Sequence, residues 1–78
     1  MRKREPRVIV TFHTTAEAMA TERMCAAHGL AGRLISAPRQ LSADCGIAWS
    51  GAAETRDALS SALAAEGIEY AGLYELEV

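Results

Sequence analysis

Two strand-like segments follow one another near the middle of the chain with no helical pattern between them. "GRLISAP", residues 32–38, and "CGIAWS", residues 45–50, are joined only by residues 39–44. Both are rich in β-branched, apolar or aromatic side chains, as strands require. A parallel crossover needs a dozen or more residues, so the two segments must pair antiparallel as a hairpin. That constraint removes the repeating parallel β-α architectures and limits how the remaining chain can close.

The flanks of the hairpin repeat one plan. Residues 7–12, "RVIVTF", read as a strand. In the following "HTTAEAMATERMCAAHG", Thr14 or Thr15 is placed to cap a helix, and Thr14 with Glu17 fits the capping-box spacing. Ala18, Thr21 and Cys25 share one helical face, with Glu22 at its margin. His28 stands in the last turn and Gly29 is the stop. Past the hairpin, Gly51 is expected to end the third strand. Residues 52–67 then form a second helix, with Ala58, Leu59, Ala62 and Leu63 at helical spacing and Gly67 as its stop. The final strand is "IEYAGLYELEV", residues 68–78, in which Tyr74, Leu76 and Val78 alternate with Leu73, Glu75 and Glu77. The order β-α-β-β-α-β with right-handed crossovers predicts an α+β, ferredoxin-like two-layer sandwich. Its four-stranded antiparallel sheet has the order 4-1-3-2, with both helices on one face.

Seventy-eight residues make a single domain, 1–78, with residues 1–6 expected to be a frayed basic N-terminus. Half the residues are hydrophobic, but many are alanines, so the core is light and a homodimer would help. No apolar run reaches the roughly 20 residues of a membrane span. Arg2, Lys3 and Arg4 lead into Glu5, Pro6 and Arg7, not into the apolar segment of a secretory signal. A cytoplasmic location and two free thiols are therefore expected. Residues 8–78 hold four arginines against nine acidic residues, a net charge of −5, which argues against a nucleic-acid footprint. Gly-rich phosphate loops, RNP-type aromatics and a Ser-His-Asp elbow are missing. Cys45, His13 and Asp44 offer three metal-ligand types, but no CxxC or HxxxH spacing accompanies them, so neither metal nor cofactor is predicted. Trp49 and the two tyrosines read as packing residues.

The chemistry concentrates in "PRQLSADCG", residues 38–46. The expected topology sets this loop at the sheet edge where strand 1 ends and helix 1 begins, with Cys45 near Phe12, His13, Thr14 and Thr15. A free cysteine has a pKa of about 8.5, and the thiolate is the nucleophile. The unpaired N–H groups of a helix N-terminus favour an anion. Arg39 and His13 act in the same direction, and Asp44 acts against them. Gly46 allows close approach to the sulfur, and Pro38 narrows the loop's conformations. The same residues also read plainly: Cys45 as a half-buried structural cysteine, His13 as a turn residue, Arg39 as a solvated charge. Residue pattern alone leaves both readings open. Cys25 belongs to the core, roughly 15 Å along helix 1, too far for a disulfide to Cys45.

"VTFHTT" (10–15), Ala18 with Glu22, the closing Gly29 and above all "PRQLSADCGIA" (38–48) together resemble the selenium/sulfur carrier-like family of small single-domain proteins. The likeness runs from about Arg7 to Tyr74. It implies a non-enzymatic or semi-enzymatic carrier whose Cys45 holds a persulfide or selenosulfide. A cysteine desulfurase-type enzyme would load it, and an acceptor protein would receive the atom. The matching positions are His13, Pro38, Arg39, Ser42, Cys45 and Gly46. Asp44 stands where the family usually has a small polar residue, which disfavours a thiolate, and Gln40 often has Glu as its counterpart. Two other classes fit the same chain: an interaction module that dimerises through its sheet or binds a small ligand, and a thiol redox sensor linked Cys45 to Cys45 between chains.

Overall fold

A computed structural model of the chain describes residues 5–41 and 45–77. The elements are β1 (Pro6–Thr11), α1 (Thr15–His28), β2 (Gly32–Ser36), β3 (Ile47–Ala52), α2 (Arg56–Ala65) and β4 (Gly72–Glu77). A single 3₁₀ turn, Ala53–Thr55, leads into α2. The four strands form one antiparallel sheet in the order β2-β3-β1-β4, which is 4-1-3-2 read from the opposite edge. The hairpin is present: Ser36 pairs with Ile47 and Gly32 with Gly51.

Helix α1 begins as its residues require. Thr14 is the cap, its Oγ1 accepting from the Glu17 N–H at 3.2 Å. Glu17 reaches back, but takes the His13 N–H at 2.8 Å, one residue ahead of the cap. The helix buries Ala18, Thr21, Met24 and Cys25, while Glu22 is exposed. It ends at Gly29, with the Leu30 N–H donating to the Cys25 carbonyl at 2.9 Å. The Ile68 N–H closes α2 on the Leu63 carbonyl in the same way, at 3.0 Å.

One side of the sheet carries the core. Val8, Val10 and Phe12 from the first strand and its extension meet Trp49 of β3, with Met24 and Cys25 of α1 and Leu59 and Leu63 of α2. Leu34, Ile47 and Leu73 pack against this cluster from the other strands. Both helices therefore bury their apolar sides against the same sheet face.

Several boundaries differ from the sequence expectation. β3 begins at Ile47, two residues later than expected, and runs through Gly51 to Ala52. Gly51 does not break the strand; it makes room. Gly51 and Gly32 are cross-strand partners, and the Trp49 indole lies against both. A Cβ on Gly32 would stand 2.5 Å from the indole ring, and one on Gly51 would stand 3.1 Å from its Nε1. The second helix starts at Arg56, after the 3₁₀ turn, and Ala58 is exposed, leaving Leu59, Ala62 and Leu63 as the buried set. β4 starts only at Gly72. Pro6 already pairs with Glu77, inside the stretch expected to fray, while residues 1–4 and Val78 lie outside the described residues.

Gly32→Val tests this packing. Its side chain overlaps the indole, and relief of an overpacked site of this kind costs about 2 kcal/mol. Urea denaturation followed by the fluorescence of Trp49, the one tryptophan in the chain, should show a lowered midpoint. An unchanged midpoint would place the indole elsewhere.

Candidate functional site

The register locates the loop that carries Cys45. Thr11 of β1 pairs with Ala48 of β3, and Ile47 pairs with Ser36 of β2. Residues 45 and 46 therefore lie just beyond the sheet edge at which β1 ends and the chain turns through Phe12, His13 and Thr14 into α1. The Ala37 N–H donates to the Gly46 carbonyl at 3.0 Å and extends the hairpin by one pair. The Leu41 N–H donates to the Pro38 carbonyl at 3.0 Å, closing a tight turn with Arg39 and Gln40 at its centre. Pro38 is half-buried and Arg39 exposed. Gly46 has φ 74°, and a Cβ there would meet nothing within 4 Å. The demand for glycine is thus conformational, since side-chain-bearing residues seldom adopt this backbone. Ser42 and Asp44 lie outside the described residues.

Cys45 is a free thiol, half-buried, resting against the edge of the core. Its S–H donates to the Ile47 carbonyl, with Sγ 3.5 Å from that oxygen. This bond belongs to the protonated sulfur. Ionisation gives it up, so the thiolate must turn toward the loop or toward solvent.

His13 and the opening of α1 share this sheet edge, but their strongest contacts run to Glu17. The His13 ring is exposed, with Nδ1 3.3 Å from Glu17 Oε1, and the backbone N–H of His13 donates to the same oxygen. Burial works to raise the Glu17 pKa. The hydrogen bonds from the backbone and ring of His13 and from the Thr14 backbone outweigh it, and the carboxyl sits below its ordinary value. A carboxylate thus already occupies the positive end of α1. Among the described residues, no hydrogen bond joins His13, Thr14, Thr15 or Arg39 to Cys45 Sγ. Sequence reasoning had Glu17 only as a capping partner. Its hold on His13 was signalled by the i, i+4 spacing of the two residues.

Cys25 shows the contrast. It is fully enclosed by the core, and burial pushes its pKa up to about 11. Among the described residues, no group of three or more His, Cys, Asp or Glu side chains is arranged to hold a metal ion. No helix among them is long and apolar enough to cross a membrane.

Two outcomes follow from this contrast. A limiting dose of a thiol-alkylating reagent on the folded protein should label Cys45 and spare Cys25, read by peptide mass spectrometry; equal labelling would contradict the burial. Separately, Cys25 stays protonated in the folded state up to about pH 11, whereas an unfolded cysteine ionises near 8.5. The unfolded state then binds fewer protons, so stability falls as pH rises between these values, by at most about 1.4 kcal/mol per pH unit. Chemical denaturation across this range should show a flatter slope for Cys25→Ala than for wild type.

A family model described as "Putative Se/S carrier protein-like" matches residues 7–75. No curated protein and no solved structure matches the chain significantly. The match takes in β2, β3, both helices, the whole Cys45 loop and most of β1 and β4. The chain belongs to this Se/S carrier protein-like family.

Proposed function

We propose that the protein carries sulfur or selenium on Cys45 as a persulfide or selenosulfide and hands the atom to an acceptor protein. The observation that carries the reading is a half-accessible free thiol within the family's loop pattern, while the second thiol is sealed in the core.

Loading needs no external oxidant. The Cys45 thiolate attacks the terminal sulfur of a donor persulfide, a new S–S bond forms at Cys45, and the donor's thiolate leaves. Delivery reverses the roles: an acceptor nucleophile attacks the terminal sulfur and Cys45 departs as a thiolate. A selenium atom in the terminal position follows the same sequence. A cysteine desulfurase-type enzyme is the donor in this reading, and the cytoplasm is the compartment. Arg39, exposed on the turn two residues ahead of Leu41, offers a charge to the terminal atom, and Ser42 a hydroxyl. His13 offers its Nε2 side, the Nδ1 side being held by Glu17. The left-handed backbone at Gly46 leaves the approach to the sulfur free of a Cβ. The ferredoxin-like sandwich serves as a rigid stand for this loop, since the hairpin that bears it is hydrogen-bonded up to the Ala37–Gly46 pair.

The test is intact-protein mass spectrometry after incubation with a cysteine desulfurase and cysteine. Wild type and Cys25→Ala should each gain one sulfur atom, and Cys45→Ser none. Arg39→Ala should reach the same extent several-fold more slowly. Sulfur gained by Cys45→Ser would remove Cys45 from the proposal.

A further inference from the structure

Between the first turns of α1 and the segment leading from α2 to β4 lies an open groove of about 360 Å³, lined by Ala16, Glu17, Ala20, Gly67, Ile68 and Glu69. That volume is at the small end of the range for ligand sites, about 300–1,000 Å³, and suits one long side chain. Ala16, Ala20 and Ile68 make the apolar part of the lining. Ile68 is anchored there, its N–H bonded to the Leu63 carbonyl and its side chain packed against the core. Each wall also brings a carboxylate, Glu17 from α1 and Glu69 from the facing segment, and none of the six lining residues is cationic. The carboxyl of Glu17 sits below its ordinary pKa, and the bonds it accepts from His13, at 2.8 and 3.3 Å, both fall on Oε1. Glu69 is exposed, and among the described residues no cation pairs with it. The surroundings act in the same direction: residues 53–77 hold six acidic residues against Arg56 alone, and Glu75 already holds Arg56 at 2.9 Å. α1 begins where β1 ends, and the Ala71 N–H donates to the Thr11 carbonyl at 2.8 Å just ahead of β4. Both walls therefore reach the end of the sheet at which the Cys45 loop lies.

We propose that this groove seats an arginine side chain of the protein that donates sulfur to Cys45. The donor's identity rests on the carrier reading above; the preference for a cation rests on the lining of the groove. Arginine joins an apolar stem to a charged head. The stem lies along Ala16, Ala20 and Ile68, and the planar guanidinium presents donors to Glu17 on one wall and Glu69 on the other. Lysine offers a compact, strongly hydrated point charge in place of that fork, and so loses more water for fewer directed bonds. An anionic side chain is repelled by both walls. A wholly apolar one desolvates two carboxylates without giving them a partner. Exposed ion pairs are individually weak and are screened by salt. A single arginine therefore binds with a dissociation constant on the order of 10 mM at low salt. The groove thus adds selectivity to a larger docking contact beside Cys45.

The probe is Nα-acetylarginine amide, titrated at low salt and followed through the backbone amide NMR signals. Those of Ala16, Ala20, Ile68 and Glu69 should shift and saturate together. Glu69→Gln should weaken the binding about fivefold, and Ala20→Leu, whose side chain fills the groove, should abolish it. Glu54→Gln, the same loss of charge on the exposed 3₁₀ turn, should bind as wild type does. Nα-acetyllysine amide should bind several-fold more weakly. No saturation below about 100 mM, equal weakening by Glu54→Gln and Glu69→Gln, or equal binding of the lysine compound would overturn the site. Loading by a cysteine desulfurase and cysteine then tests the partner. Glu69→Gln should raise the carrier concentration at half-maximal rate several-fold, and Glu54→Gln should not; an unchanged value for Glu69→Gln would overturn the assignment to the donor. Failure of the carrier reading looks different: wild type would gain no sulfur from the desulfurase or from glutathione persulfide. That result removes the donor from the proposal, and the arginine titration alone then decides the groove.

Discussion

The pairing of Thr11 with Ala48, and with it the whole β1–β3 register, is the constraint on which the rest of this structure depends. Side chains alternate across a strand, so a slip of one residue would carry either Val8 and Val10 or Trp49 out of the core and turn Ile9 or Ser50 inward. The same register decides what lies beyond the strand ends. It levels the start of β3 with the end of β1, and so brings the hairpin tip to the side of the molecule where α1 begins. β1 is one of the two inner strands, hydrogen-bonded to β3 on one side and β4 on the other, and its residues from Val8 to Thr11 are wholly buried. The Cys45 loop joins β3, the inner neighbour of β1, to the edge strand β2.

Two cysteines in one small domain are given opposite properties by packing alone. Cys25 sits in a helix between the sheet and the neighbouring residues of the core, where a charge would be desolvated, and it behaves as a small apolar residue. Cys45 rests on the same core but at its rim, and among the described residues its hydrogen bond runs to a nearby carbonyl rather than to a cation. The electrostatics of the α1 start are also shared out differently from a simple anion cradle. Glu17 fills part of that role with its own carboxylate and holds the His13 ring in place. The start of α1 is thereby already partly neutralised, beside an imidazole held by that carboxylate.

The glycines show how one residue type answers different physical demands. At Gly46 the backbone is left-handed and space is open; at Gly32 and Gly51 the backbone is an ordinary strand and space is lacking. Only the first demand has a local cause. The second comes from an indole that belongs to the partner strand in one case and to a residue two positions away in the other, and it explains why a strand-ending reading of Gly51 was reasonable and yet failed.

Local sequence determined a great deal here: the element order, the hairpin, the Thr14 cap, the Gly29 stop and the buried Ala18–Thr21–Cys25 stripe. Each depends on residues within a turn or two of one another, where periodicity and backbone preference act directly. The strand order also followed, because a six-residue connection and right-handed crossovers leave few ways to close four strands. Only the tertiary structure decided that β3 runs on through Gly51, that Ala58 faces solvent, that His13 turns to Glu17 and that Cys45 remains half-accessible. It also decided that Arg33 and Tyr74 share a row on the sheet face turned away from the helices. Those outcomes rest on contacts between residues far apart in the chain, and such contacts exist only once the register of the sheet has been set.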